Sequence, residues 1–175
     1  MITAAIILAE AAVLHENLIA VQSQSYGPEA RGGATRSDVI IADSEIRYPK
    51  VTQPNILVCL TQEAYNKYYG IIRPGGLLLY DPKYVNPISK LDAKQVGLPI
   101  YKTVMDSIGN PMAINICMLG AVIGLTGIVR IDSVVKVLQT RMSYDSLEPN
   151  KKALSLGIEM VNKFSETNDV CRFSG

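Results

Sequence analysis

Ile56-Leu57-Val58-Cys59-Leu60-Thr61-Gln62-Glu63-Ala64-Tyr65, continued by Arg73-Pro74-Gly75-Gly76-Leu77-Leu78-Leu79-Tyr80, is the stretch that decides the fold class. Ile56 to Leu60 is a short apolar run without polar alternation, introduced by the turn residues Gln53-Pro54-Asn55. Thr61 stands where a helix N-cap belongs, and the helix it opens is predicted to run through Tyr69 with Ala64 and Tyr68 on its inner face. Pro74-Gly75-Gly76 is a turn, and Leu77 to Tyr80 is a second apolar run that ends at Asp81-Pro82. Strand, helix, turn and strand in this order form a βαβ unit, so 56–60 and 77–80 are predicted to be parallel neighbours. Strands without a polar face are those covered on both sides. The predicted class is α/β: a three-layer α/β/α domain with a mostly parallel or mixed sheet.

Further strands are expected near 18–24, 38–42 and 98–104, with 81–97 irregular. Met1 to Asn17 is predicted to be a helix that is apolar almost all round. Its polar positions Thr3, Glu10 and Asn17 recur every seven residues and leave one narrow stripe for solvent, so the helix should pack on the sheet. No capping residue precedes it. Gly109-Asn110-Pro111 opens a long core helix, with Asn110 as cap and Pro111 at the first helical position. Gly120-x-x-x-Gly124 on that helix permits close approach by a neighbouring element. Asp132 or Ser133 is expected to cap a helix over 134–142, and Glu148-Pro149-Asn150 to introduce a last helix ending at Phe164. Residues 1–164 make one domain on this reading, and 165–175 a polar tail.

A chain of 175 residues is one domain by size and buries roughly 70 % of its unfolded surface. Seventeen basic and sixteen acidic residues leave a net charge of +1, which argues against a nucleic acid or an anionic membrane as partner. The one histidine, His15, excludes a multi-histidine metal site. Cys59, Cys117 and Cys171 are scattered, odd in number and without C-x-x-C, so they form neither a disulfide framework nor an iron–sulfur ligand set. The expected location is the reducing cytoplasm. Ile2 to Leu14 lacks a basic flank and carries Glu10. Met112 to Val129 has the length of a span but contains Asn115, Thr126 and three glycines, and is expected to be a buried core helix. No nucleophile elbow, P-loop or dinucleotide fingerprint occurs. Glu10 with Glu16 is expected to be a solvated face, and Asp43 with Glu45 a turn. Tyr65, Tyr68 and Tyr69 cluster at helical spacing and suggest a packing edge or subunit contact.

Between the apolar runs at 18–21 and 39–41 lies Ser25-Tyr26-Gly27-Pro28-Glu29-Ala30-Arg31-Gly32-Gly33. A hairpin can be closed with two residues, so this connection is more elaborate than closure requires. Gly32-Gly33 frees the backbone for close approach to a ligand, and Arg31 offers a planar fork of donors suited to phosphate or carboxylate. The plainer reading is a long hairpin connection in which Arg31 holds Glu29 or a backbone carbonyl.

This loop closely resembles the signature loop of the gamma subunit of the 2-oxoacid:ferredoxin oxidoreductases. Ala4 to Ala11, Tyr48-Pro49, Leu60 to Tyr65, Pro74-Gly75-Gly76 and Asn115 to Gly120 are similar to further pieces of that family, in its order, so the resemblance covers the chain to about Phe164. It implies a fold like the third domain of pyruvate:ferredoxin oxidoreductase. It also implies membership of a hetero-oligomer that oxidatively decarboxylates a 2-oxoacid, transfers the acyl group to coenzyme A and passes electrons to ferredoxin. Thiamine diphosphate would then sit in the alpha and beta subunits and 4Fe–4S clusters in a ferredoxin-like delta subunit. This chain would carry no cofactor and no complete active site. Its part would be assembly and the coenzyme A docking region, with Ser25, Tyr26, Gly27, Pro28, Glu29, Arg31, Gly32 and Gly33 as the ligand or interface loop. The loop is more similar to the 2-oxoglutarate and 2-ketoisovalerate members than to the pyruvate ones. Members of the family begin with a strand and a G-x-G-G-Q-G turn ahead of the first helix. Met1 falls where that turn should end, so a truncated start is expected. The isolated chain is expected to self-associate through the 25–33 loop and the three tyrosines. The alternative is a free-standing α/β binding module whose loop grips an anionic ligand unaided.

Overall fold

The structure, a computed structural model, describes residues 1–25 and 35–168. In chain order its elements are α1 (Ile2–His15), β1 (Ile19–Ser25), β2 (Arg36–Ala42), β3 (Ile56–Cys59), α2 (Gln62–Tyr68), β4 (Gly76–Tyr80), β5 (Ala93–Gly97), α3 (Ile100–Ser107), α4 (Ile114–Thr126), α5 (Ile131–Arg141) and α6 (Tyr144–Asn168). The βαβ unit forms as the sequence predicts. β3 pairs in parallel with β4, Ile56 opposite Leu77 and Cys59 opposite Tyr80, and β5 adds in parallel on the far side of β4. Thr61 caps α2 by accepting from the Ala64 N–H at 3.2 Å. β1 and β2 form a separate antiparallel pair, from Ile19 opposite Ala42 to Ser25 opposite Arg36.

Alternate residues of β4 show why the sheet is covered on both faces. Leu77 and Leu79 point into the larger core with residues of α1, α3, α4, α5 and α6, whereas Leu78 joins Cys59, Tyr65, Ile72 and Val85 on the other side. Burying apolar residues on both faces of one strand requires a layer above and a layer below.

Within 112–129, Ile114–Thr126 forms the buried core helix that its polar and glycine content predicts. Asn110 Oδ1 accepts from the Met112 N–H at 2.9 Å, Pro111 begins a 3-10 turn, and α4 follows with Cys117, Met118 and Ala121 fully buried. Gly127 closes α4 in the left-handed conformation, φ +63°. The close approach at Gly120 is real and has an unforeseen counterpart on α6. A Cβ on Gly120 would lie 2.2 Å from the Leu154 carbonyl oxygen, and one on Gly157 2.0 Å from the Cys117 carbonyl oxygen. The two helices cross backbone to backbone.

Four expectations are corrected. The segment 98–104 is not a strand: Pro99 takes the N-cap position of α3, and Ile100 and Val104, four residues apart, are both buried on one helical face. The fifth strand is instead Ala93–Gly97, within the stretch expected to be irregular, and pairing with the edge of β4 imposes its extended form. α5 starts at Ile131 behind Arg130, so Asp132 and Ser133 lie inside its first turn rather than ahead of it. α6 starts at Tyr144 and runs to Asn168, with Pro149 inside it rather than in front. Ser143 opens that helix, its carbonyl accepting from the Ser146 and Leu147 N–H groups at 3.0 Å each.

Candidate functional site

A cavity of about 220 Å³ lies between the two sheets. Its side walls are β2, from Arg36 to Ile41, and β3, from Ile56 to Val58; neither β1 nor β4 contributes. Met1, Ala4, Ala5 and Leu8 of α1 and Met118, Leu119 and Val122 of α4 supply its apolar surfaces, and Ala64 and Tyr68 of α2 stand at its rim.

Among the described residues, Arg36 is the one basic side chain in this lining. Its Nε donates to Asp38 Oδ1 at 2.7 Å and its Nη2 to the Val51 carbonyl at 2.7 Å, while the guanidinium lies 5.4 Å from the centre of the Tyr68 ring. Arg36 and Asp38 share a strand face because they are two residues apart, and both side chains keep about a fifth of their surface open (23 % and 22 %). The ion pair fixes the base of the hairpin loop, since Arg36 is the backbone partner of Ser25. Sequence reasoning fixed on Arg31 and passed over this pair, although an i, i+2 Arg–Asp on a strand was a legible signal. Of the predicted loop, Ser25 ends β1; Tyr26, Gly27, Pro28, Glu29, Arg31, Gly32 and Gly33 lie outside the described residues.

Elsewhere the polar groups serve the fold. Glu10 and Glu16 are not a solvated face: Glu10 pairs with Arg141, and Glu16 accepts from the Ser133 hydroxyl, the Arg130 N–H at 2.9 Å and the Arg130 guanidinium. Both tie α1 to the α5 helix. The Ser133 hydroxyl, then the Arg130 N–H and guanidinium, hold the Glu16 carboxyl down at about 2 from an ordinary 4.5. A carboxyl with a depressed folded pKa stabilises the fold above its unfolded pKa and loses that contribution as pH falls through the folded one. The melting temperature is therefore expected to fall between pH 4.5 and about 2, and Glu16→Gln to flatten that part of an acid titration followed by circular dichroism.

Burial pushes the Cys59 and Cys117 thiols up to about 12, so neither is a thiolate nucleophile at neutral pH. Among the described residues no three His, Cys, Asp or Glu side chains are grouped to hold a metal ion. Of the three tyrosines, Tyr65 is buried at 1 % exposure rather than part of an open aromatic patch. Its hydroxyl donates to Gln95 at 3.2 Å and accepts from the Ile88 N–H at 3.0 Å, and its ring stacks on Tyr69. Tyr65, not Ala64 and Tyr68, is the inner residue of α2, which leaves Tyr68 and Tyr69 half-buried.

Residues 1–160 match the family described as pyruvate ferredoxin/flavodoxin oxidoreductase. The 2-oxoglutarate synthase subunit KorC of Methanocaldococcus jannaschii is 42 % identical over 165 residues, covering 93 % of this chain and 88 % of that one. The crystal structure of the keto/oxoacid ferredoxin oxidoreductase gamma subunit of Geobacter sulfurreducens superposes with a TM-score of 0.83 at 38 % identity, covering 93 % and 91 % of the two chains. The 2-oxoglutarate:ferredoxin oxidoreductase of Magnetococcus marinus, solved with 2-oxoglutarate, coenzyme A and succinyl-CoA, shares the fold at a TM-score of 0.83 and 16 % identity. This chain spans 29 % of it. A short parallel sheet between helical layers, with an antiparallel hairpin beside it, is thus the α/β domain of an oxidoreductase assembly. The chain belongs to the pyruvate ferredoxin/flavodoxin oxidoreductase family, as a gamma subunit of the 2-oxoacid:ferredoxin oxidoreductases.

Proposed function

We propose that the chain works as the gamma subunit of a 2-oxoglutarate:ferredoxin oxidoreductase. The assembly oxidatively decarboxylates 2-oxoglutarate, joins the succinyl group to coenzyme A and delivers the two electrons to ferredoxin. The observation that carries this reading is the 42 % identity to a 2-oxoglutarate synthase subunit over 93 % of the chain. Alpha, beta and delta subunits are its partners, and they hold thiamine diphosphate and the 4Fe–4S clusters. The complex works in the cytoplasm; among the described residues no helix is long and apolar enough to cross a membrane.

The chain's own contribution is placement. The Ser25–Gly33 loop serves the coenzyme A docking region of the assembled enzyme, and Arg31 meets a coenzyme A phosphate or a partner carboxylate. Support comes from the donor fork of Arg31, from the two glycines after it, and from the Arg36–Asp38 pair that holds the hairpin base. In the assembled enzyme, Arg31→Ala is expected to raise the Michaelis constant for coenzyme A about tenfold, the equivalent of one charge-assisted hydrogen bond, with little change in kcat. If Arg31 meets a partner carboxylate instead, the variant elutes with less of that subunit. An unchanged Michaelis constant together with unchanged assembly contradicts the role.

A further inference from the structure

Residues 81–92 join the parallel strands β4 and β5 without a helix, although such crossovers are usually helical. The first part of this connection is tied down at almost every step. The Lys83 N–H donates to Asp81 Oδ1 at 2.9 Å, and the Tyr84 and Val85 N–H groups donate to the Asp81 carbonyl at 3.0 Å each. Val85 is fully buried. The Asn86 N–H donates to Gln62 Oε1 at 2.7 Å, the Ile88 N–H to the Tyr65 hydroxyl at 3.0 Å, and Gln95 Nε2 to the Ile88 carbonyl at 2.7 Å. Side chains of α2 and β5 thus hold the loop in one conformation.

What the held loop displays is Tyr84, 42 % exposed, and the exposed Lys83. The Lys83 ammonium lies 3.3 Å from the centre of the Tyr101 ring on α3 and 5.2 Å from that of Tyr84. The two rings meet edge to face, with centres 5.5 Å apart. Among the described residues no carboxylate forms an ion pair with Lys83. Asp81, two residues before it, spends both oxygens on backbone N–H groups. A cation held on aromatic faces keeps its charge for an anion that arrives from outside. Tyrosine is enriched among the residues that carry binding energy at protein interfaces, and a fixed loop loses little entropy on binding.

We infer that Lys83, Tyr84 and Tyr101 form a docking surface for a partner subunit, which brings an aspartate or glutamate side chain to Lys83 and apolar surface against Tyr84. This rests on the reading of the chain as one subunit of a hetero-oligomer. A ligand phosphate calls for several convergent donors, but the N–H groups of Lys83, Tyr84, Val85 and Tyr101 are all taken by Asp81. A single carboxylate needs only the ammonium.

The test uses the intact assembly, purified from native cells through a tag on this chain, and the full chain expressed alone. Acetylation of Lys83, read by mass spectrometry, is expected to be at least about tenfold slower in the assembly, with or without added coenzyme A. A zero-length carbodiimide is expected to couple Lys83 to an aspartate or glutamate of a partner. Lys83→Glu is expected to raise the concentration at which the diluted assembly sheds this chain by at least about tenfold, and Tyr84→Ala by about tenfold. Lys83→Arg, which keeps the charge, is expected to stay within about threefold of the parent. Equal acetylation in the two forms, or protection without coupling to a partner carboxylate, overturns the inference while the subunit reading stands. Protection that appears only with coenzyme A overturns it too, and assigns the cation to a ligand phosphate. A chain that purifies without partners overturns both.

Discussion

Gly157→Ala is expected to lower the melting temperature by about 6–12 °C. In a helix interior, glycine to alanine ordinarily stabilises by about 1 kcal/mol, because alanine loses less backbone freedom on folding. At position 157 the added methyl would lie 2.0 Å from the Cys117 carbonyl oxygen and 2.7 Å from the Ala121 nitrogen. Both are backbone atoms of a buried helix and cannot swing aside as a flexible side chain does. α4 and α6 must move apart, which opens the largest helix–helix contact of the fold around Cys117, Ala121, Ala153 and Leu154. Overpacking costs typically about 1–3 kcal/mol and occasionally more, and a forced backbone separation belongs at the upper end. A net loss of about 3 kcal/mol corresponds to that temperature shift for a chain of this length. Gly120→Ala, 2.2 Å from the Leu154 carbonyl oxygen, is expected to behave alike. Gly124→Ala is the control: its methyl would meet Val161 at 3.4 Å, an ordinary contact, and helix propensity is then expected to leave stability unchanged or slightly raised. Thermal melts of the three variants decide the matter, and equal stability of all three would refute the backbone crossing.

The second large effect is expected at Asp81. This carboxylate is 2 % exposed at the C-terminal end of β4, where Oδ1 accepts from the Lys83 N–H at 2.9 Å and Oδ2 from the Tyr101 N–H at 2.7 Å. The second bond satisfies a donor in the first turn of α3, which has no side-chain cap from Pro99. One carboxylate thus joins the end of the central strand to the start of the helix that follows β5. Asp81→Ala leaves both N–H groups without their acceptor and is expected to cost about 3 kcal/mol, the range for losing hydrogen bonds to a charged group and stranding their donors. Asp81→Asn is expected to recover only part, since the amide offers one acceptor and turns a donor toward the other N–H. Chemical denaturation checks both variants; an alanine variant within about 0.5 kcal/mol of the parent would contradict this role.

The βαβ unit was legible because each of its parts is locally unambiguous: two apolar runs, a Thr61 cap and a Pro-Gly-Gly turn. The core helix was legible for the same reason, through Asn110, Pro111 and the glycines. β5 was not. Ala-Lys-Gln-Val-Gly has no strand signature of its own, and β4 supplies the pairing that extends it. Leu98 to Val104 was ambiguous because Ile100 and Val104 fit a period of two as well as a helical turn; Pro99, which has no N–H to give a strand ladder, stands at the N-cap of α3. Pro149 misled in the opposite sense. Proline marks helix starts, but here α6 already has a turn behind it and forgoes the bond to the Asp145 carbonyl.

Of the candidate site, the sequence singles out the 25–33 loop, which beyond Ser25 lies outside the described residues, and not the cavity. The cavity depends on how β2, β3, α1 and α4 come together, a property of tertiary packing that no local pattern encodes. The Glu16–Ser133–Arg130 cluster joins residues more than a hundred positions apart, so in the sequence Glu16 reads with Glu10 as a solvated face and Ser133 as a helix cap, and nothing marks Arg130.

The most direct test of the functional account is to tag this chain in its native cells, purify the intact assembly and assay ferredoxin reduction with coenzyme A and competing 2-oxoacids. The account predicts a complex containing thiamine diphosphate and iron–sulfur partner subunits whose specificity constant for 2-oxoglutarate exceeds those for pyruvate and 2-ketoisovalerate by at least about tenfold. An assembly that prefers pyruvate or 2-ketoisovalerate, or a chain that purifies without such partners, would contradict it.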